Sequence, residues 1–228
     1  MANYVVAVTG ASGSIYALRL LQVLLWSRHA VHLTISRSGV QVLGTELGLT
    51  VDLQRFRPEQ LFGQLLQGEG TGGLIDSGLG HYGGFKPLGG KISLERLTYH
   101  RYDDFSAGIA SGSFLTKGMV ICPCSMGTVA SVAGGHSENL IQRAADVHLK
   151  ERRRLIVVPR ETPISSIQLE NLRKLSEAGA TVLPAMPGFY HGAQTIPDLI
   201  DFVVARIADQ LEVEHSLMRR WGADGRAI

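Results

Sequence analysis

Residues 4–21 read YVVAVTGASGSIYALRLL, and the change of period inside that stretch decides the fold. Tyr4 to Val8 is a short unbroken apolar run, the pattern of a strand buried on both faces. Thr9 to Gly13 then supplies small residues suited to a tight turn, and Ser14 to Trp26 carries its apolar residues at helical spacing. Strand, glycine turn and helix in that order predict the first unit of a parallel α/β sheet.

The same alternation continues along the chain. Val31 to Ser36 reads as a second strand, followed by a helix from about Gly39 to Leu47. Met119 to Cys122, Leu155 to Val158 and Thr181 to Leu183 read as further buried strands. Helices fit at Met126 to Ala133, Leu140 to Glu151, Ser166 to Ala178 and Pro197 to Leu211. Right-handed crossovers between such units give an α/β fold with a Rossmann-like doubly wound parallel sheet in three layers. With 228 residues the chain fits one domain, residues 1–211, and a tail, residues 212–228, around Arg219, Arg220 and Trp221. Gly68 to Gly90 breaks the pattern with three glycine pairs and is expected to be a long mobile excursion: a lid, a subunit contact or an inert surface loop.

Composition narrows the function classes. Hydrophobic residues make up 45% and charged residues 18%, enough apolar surface for a buried core. The net charge is +2 with basic and acidic residues interspersed, which argues against a nucleic-acid partner. The longest apolar stretch, Ile15 to Trp26, contains Arg19 and is too short to span a bilayer, so no membrane segment or signal peptide is expected. Cys122 and Cys124 flank Pro123, where a disulfide between them would be strained; two reduced, buried thiols are expected. The eight histidines form no ligand-spaced cluster, so no metal is expected, and these features together suggest a reducing cytoplasmic setting.

In open parallel sheets ligands bind beyond the carboxyl ends of the strands. That rule selects Gly10-Ala11-Ser12, Ser36, Ser125-Met126-Gly127-Thr128, Arg160-Glu161 and the segment ending in Tyr190-His191. The first of these opens a helix, so its N–H groups and hydroxyls suit a phosphate, although a plain packing turn would look the same. It lacks the third glycine of the dinucleotide fingerprint, and Ser36 stands where a ribose-binding acid would end strand two. Both departures argue against NAD and for a mononucleotide held by its phosphate. Arg143 and Lys150, seven apart, share one helix face, whereas Glu151, Arg152, Arg153 and Arg154 read as a solvated face. Arg160 and Glu161 sit between Pro159 and Pro163 with little freedom to swing away, as site residues or as an ion pair. Arg206, inside an apolar helix, either snorkels or lines a site, and Tyr190 is either a core plug or a hydroxyl for an anion.

Five segments resemble the UbiX/Pad-type flavin prenyltransferases in order and spacing: TGASGSIYALRLL (9–21), SGSFLTKGMVICPCSMGT (111–128), NLIQRAADVHLKERRRLIVVPRETP (139–163), IQLENLRKLSEAGA (167–180) and PAMPGFYH (184–191). The resemblance implies a flavoprotein-type subunit, assembled into a homododecamer with sites at subunit junctions. It implies transfer of a dimethylallyl group from dimethylallyl phosphate to N5 of reduced FMN, closure of a ring at C6, and delivery of prenylated FMN to a UbiD-type decarboxylase. On this sequence it implies that Gly10, Ala11, Ser12, Ser36, Ser125, Met126, Gly127, Thr128 and Arg143 bind FMN. Lys150, Arg160, Glu161, Tyr190 and Arg206 would hold the isoprenyl phosphate, and Trp221 would border the site. Ser12 and Glu46 would move protons, with Glu161 an organiser among the cations or a donor to phosphate. Departing an allylic phosphate needs cations and hydroxyl donors around the leaving group, which Lys150, Arg160, Arg206 and Tyr190 supply without a metal. Ala17 and Gly192-Ala193 depart from the residues common in that family, the second in a place that bears on how Tyr190 is held.

Three other readings compete. An FMN-dependent cysteine decarboxylase of the same fold would carry a PASANT-type segment, where this chain has Pro123 to Thr128. A non-catalytic flavin carrier would leave Arg160, Glu161 and Arg206 structural. Tyr82 and Lys86 give the Y-x-x-x-K of a short-chain dehydrogenase, but Gly83-Gly84 interrupts the helix that motif needs.

Overall fold

The computed structural model describes residues 1–62, 85, 88, 92–218 and 220. Among them the strands are β1 (Asn3–Val8), β2 (Ala30–Ile35), β3 (Leu97–Tyr99), β4 (Gly118–Cys124), β5 (Arg154–Pro159) and β6 (Thr181–Val182). All pair in parallel, in the spatial order β3-β2-β1-β4-β5-β6. The helices are α1 (Ser14–Trp26), α2 (Arg37–Leu47), α3 (Glu59–Phe62), α4 (Met126–Ala133), α5 (Leu140–Lys150), α6 (Ser166–Glu177) and α7 (Ile196–Leu211).

Successive strand residues face opposite sides, and both sides are covered. Tyr4, Val6 and Val8 of β1 join Leu20 and Leu24 of α1 and Val203 and Ile207 of α7 in one core. Val5 and Ala7 join Val129 of α4 and Leu140 and Ala144 of α5 in the other. Two-sided burial is why the strands read as continuous apolar runs rather than as alternating ones. The α1–α7 contact also holds a buried ion pair: Arg19 Nε lies 2.7 Å from Asp201 Oδ1 and Nη2 lies 3.1 Å from Oδ2, each side chain 3% exposed.

The structure adds β3 and α3, which the sequence reading does not predict. Three residues carry no usable period, and β3 exists through its neighbours: Val31 to Leu33 pair with it, and Tyr99 stacks on Phe56 at 4.4 Å. Helix α2 begins at Arg37 rather than Gly39 because Ser36 caps it. The expected solvated face at Arg152 to Arg154 is corrected in part. Arg153 donates to the carbonyls of Gly112 and Phe114, and Arg154 opens β5 and pairs with Glu212 at 2.8 Å. Cys122 and Cys124 are free thiols with no exposure. Trp221, Arg219, Tyr82, Lys86 and most of Gly68 to Gly90 lie outside the described residues. No helix among the described residues is long and apolar enough to cross a membrane.

Candidate active site

The chain lays β1, β2 and β3 outward in one direction and then places β4 on the other side of β1. The order therefore reverses between β1 and β4, and the crevice beyond their carboxyl ends is where a ligand fits. Thr9 stitches the two loops together: its hydroxyl donates to Pro123 O at 2.7 Å and accepts from Ser125 N–H at 2.8 Å. Gly10 is required because a Cβ there would lie 2.4 Å from Ser38 Cβ, so the β1–α1 loop touches α2. Ser36 caps α2 by accepting from Gly39 N–H at 3.0 Å. Ser125 caps α4, accepting from Thr128 N–H at 3.3 Å, and the two hydroxyls lie 3.0 Å apart. Among the described residues, a Cβ added at Gly127 would meet nothing within 4 Å. Hydroxyls and backbone N–H groups at a helix N-terminus fit a phosphate monoester. Gly10, Ala11, Ser12, Ser36, Ser125, Met126, Gly127 and Thr128 thus share one rim of the sheet.

At the start of α1, whose N–H groups read as suited to a phosphate, those of Gly13 and Ser14 are taken. Glu46, in the last turn of α2, already occupies them. Its carboxylate accepts from Gly13 N–H at 3.0 Å on both oxygens and from Ser14 N–H at 2.8 Å. A carboxylate is favoured there for the same reason a phosphate would be, through orphan donors and the helix dipole. Gly13 adopts φ 110°, and a side chain there would also press on Tyr16 at 2.9 Å. Of the pair expected to move protons, Ser12 and Glu46, the second is thus hydrogen-bonded to the residue that follows the first. Tyr16 stands beside them, its phenol pushed up by burial and then by Cys122 and Glu46.

Of the residues expected to hold an isoprenyl phosphate, Lys150 is set apart from Arg160 and Glu161 within one chain. Arg160 and Glu161 directly follow the carboxyl end of β5. They form no ion pair with each other; Glu161 Oε1 accepts from Thr162 N–H at 3.3 Å. Lys150 ends α5, four residues before β5 begins, and pairs with Glu151, so it lies by the opposite rim. The six residues of β5 separate the two cations by about 20 Å, at roughly 3.3 Å of rise per residue. Arg143, in the first turn of α5, donates through Nε to Ala110 O at 3.0 Å and pairs with Asp146 at 2.7 Å. Arg206 lies along the β6 edge, exposed, in a groove of about 270 Å³ that Phe202, Met186 and Thr181 also line. Tyr190, 52% exposed, packs edge-on against the same Phe202 at 5.6 Å, so it is not a core plug. Sequence reasoning took Thr9 only as part of the first loop and missed Asp209, which pairs with Arg206 at 2.9 Å. The i,i+3 spacing of that pair was the available clue.

A flavoprotein family profile matches residues 1–208. The flavin prenyltransferase UbiX of Halalkalibacterium halodurans is 44% identical over 97% of this chain and 94% of its own length. That of Pseudomonas aeruginosa is 43% identical over 95% and 92%. The chain belongs to the flavin prenyltransferase family. Among solved flavin prenyltransferase-like structures, AnUbiX (PadA1) in complex with FMN and dimethylallyl pyrophosphate superposes with a TM-score of 0.75 at 33% identity, covering 96% of this chain and 97% of that one. A dodecameric FMN-dependent UbiX-like decarboxylase from Escherichia coli O157:H7 gives 0.74 at 34%, covering 96% and 98%. A PPC decarboxylase mutant at 16% identity and TM-score 0.55 shares the fold alone. Within this flavin prenyltransferase family member, the rim residues other than Ser36 fall in segments 9–21 and 111–128. Among the described residues no three His, Cys, Asp or Glu side chains gather as a metal site would require.

Proposed function

We propose that this chain transfers the dimethylallyl group of dimethylallyl monophosphate to N5 and C6 of reduced FMN, making prenylated FMN for a UbiD-type decarboxylase in the cytoplasm. The observation that carries this reading is the likeness, over 96% of the chain, to a protein seen with FMN and dimethylallyl pyrophosphate. Reduced FMN supplies the electron-rich ring that accepts the prenyl group. The chain's own part is to hold and orient. Ser36, Ser125 and Thr128, with the N–H groups of Met126 and Gly127, take the FMN phosphate in this reading, and Gly10 and Ala11 let a flat ring approach the backbone. Arg143 adds positive charge to that binding, and Ser12 with Glu46 holds and passes a proton at the start of α1. Lys150, Arg160, Tyr190 and Arg206 hold the departing phosphate, and Glu161 organises the cations around it. Charge developing on a leaving oxyanion is stabilised by such fixed donors, with no metal required.

Lys150 and Arg160 lie by opposite rims of one sheet, so a site that uses both takes them from two copies of the chain. A closed homo-oligomer, a dodecamer in this reading, supplies that arrangement, with Trp221 and the tail bordering the junction. Anaerobic incubation with reduced FMN and dimethylallyl monophosphate, followed by mass spectrometry of the released flavin, tests the function. A flavin heavier by one isoprenyl unit is expected, and an unchanged flavin mass rejects prenyl transfer. The name of the Escherichia coli neighbour favours a second reading, direct decarboxylation. Release of carbon dioxide from an aromatic or cysteinyl acid with the flavin unmodified would support that instead.

A further inference from the structure

Asp209, in the last turns of α7, is the meeting point of two arginines and a histidine, from α7 itself and from the tail that follows it. Its Oδ2 lies 2.9 Å from Arg206 Nη1, one turn back on the same helix. Its Oδ1 lies 3.1 Å from His215 Nε2 and 2.8 Å from Arg220 Nη2, both in the tail that follows α7. The His215 side chain is 2% exposed, Asp209 is 19% exposed, and Arg206 and Arg220 are 48% and 60% exposed. Half-exposed arginines lose rotamer freedom when held, and a surface pair alone contributes little to stability. Two such arginines and a buried histidine on one largely buried carboxylate make a network with a defined geometry. Burial raises the Asp209 carboxyl, but hydrogen bonds from Arg220 and His215 and their charges outweigh it, and the group stays below the usual carboxylate range.

Arg206 presents one end of its guanidinium to Asp209, and the guanidinium has further donors in a fixed fork. It lines the groove beside β6. We propose that Asp209 is a positioning residue that fixes the direction of the Arg206 guanidinium toward the isoprenyl phosphate and ties that direction to seating of the C-terminal tail through His215 and Arg220. This rests on the prenyltransferase reading of Arg206. The carboxylate touches no substrate in this scheme and acts through the arginine it holds. Because Oδ1 serves the tail while Oδ2 serves Arg206, withdrawal of Arg220 leaves His215 as the tail's hold on Oδ1, and the aim of Arg206 loosens with the carboxylate.

The test uses the full-length assembled protein, with dimethylallyl monophosphate varied at saturating reduced FMN. For Asp209→Ala the KM for the prenyl phosphate should rise about tenfold, the loss of one oriented charge-assisted contact. The same variant should keep kcat within about threefold and bind FMN as the wild type does, because the phosphate contact is weakened by a similar amount in the ground state and the transition state. Asp209→Glu should recover part of the lost KM. Arg220→Ala, an exposed tail change that leaves the α/β core intact, should raise KM about threefold and add nothing in the Asp209→Ala background, the mark of one coupled network. A melting point that falls with KM unchanged, or KM effects that add fully, would overturn the inference. If Asp209→Ala does not fold, an unchanged KM in Arg220→Ala overturns it. Absence of prenyl transfer by the wild type itself would instead reject the function assigned to the site, so the two failures are separable.

Discussion

Removing the Glu46 carboxylate separates its structural part from its chemical one. In the wild type it closes the N-terminus of α1 through Gly13 and Ser14 N–H groups at 2.8–3.0 Å, across 32 or 33 residues of sequence. Hydrogen bonds to a charged acceptor contribute about 1.5–3 kcal/mol each where buried, but Glu46 is half-buried and water replaces part of the loss. For Glu46→Ala we expect about 2 kcal/mol of destabilisation, the scale of a lost helix cap with its dipole interaction. Glu46→Gln keeps an acceptor oxygen and should lose about 1 kcal/mol, since only the charge is gone. Urea unfolding with an unchanged slope reads both values. Turnover should respond in another proportion: Glu46→Gln cannot pass a proton and should lose about a hundredfold or more in kcat, the usual contribution of general acid–base catalysis. FMN affinity, read by quenching of flavin fluorescence, should fall only about fivefold in Glu46→Ala, equivalent to about 1 kcal/mol. Wild-type stability in Glu46→Ala would refute the capping argument, and wild-type turnover in Glu46→Gln would refute the proton-transfer role.

Two further outcomes follow from buried groups. Asp201→Asn leaves the Arg19 guanidinium, which also donates to Gln22 Oε1 at 3.0 Å, short of its compensating charge between α1 and α7. Breaking such a pair should destabilise by about 3–5 kcal/mol, measured by equilibrium denaturation, while an apolar replacement of both partners should lose far less. His148 is held neutral, its pKa lowered from 6.5 to about 4 by burial, with the Ala144 carbonyl opposing and Arg153 assisting. Its folded pKa is depressed, so its contribution is complete above pH 6.5 and is lost as pH falls toward 4, roughly 3 kcal/mol at most. Its Nδ1–H donates to Ala144 O at 2.6 Å and its Nε2 accepts from the Thr116 hydroxyl at 2.8 Å. His148→Gln should flatten the decline in stability across that window; an unchanged slope contradicts the assignment.

The layers of the fold were legible because two-sided burial leaves unbroken apolar runs such as Val5 to Val8 and Met119 to Cys122. Strand β3 was not, because three residues held by pairing with β2 carry no period of their own. On the site, the carboxyl-end rule selected the rim residues from Gly10 to Thr128. It did not show that Glu46 fills the anion position at α1, since a contact between residues 33 apart leaves no local pattern. Seven-residue spacing placed Arg143 and Lys150 on one helix, yet periodicity says nothing about which rim a helix end reaches. Lys150 pairs with Glu151 by the amino-terminal rim while Arg160 follows the carboxyl-terminal one. That separation is what turns a list of cations into a claim about two copies.

The most direct test of that claim is complementation between inactive subunits. Lys150→Ala and Arg160→Ala proteins should each lose prenyl transfer, because each removes one cation from every site. Unfolded together and co-assembled at equal ratio, they should regain activity in about a quarter of the sites, those joining an intact Lys150 from one copy to an intact Arg160 from its neighbour across a heterologous interface. Recovery near that fraction supports the two-copy site. Hybrids as inactive as their parents, formed from subunits that assemble normally, would show that the two cations serve no common anion.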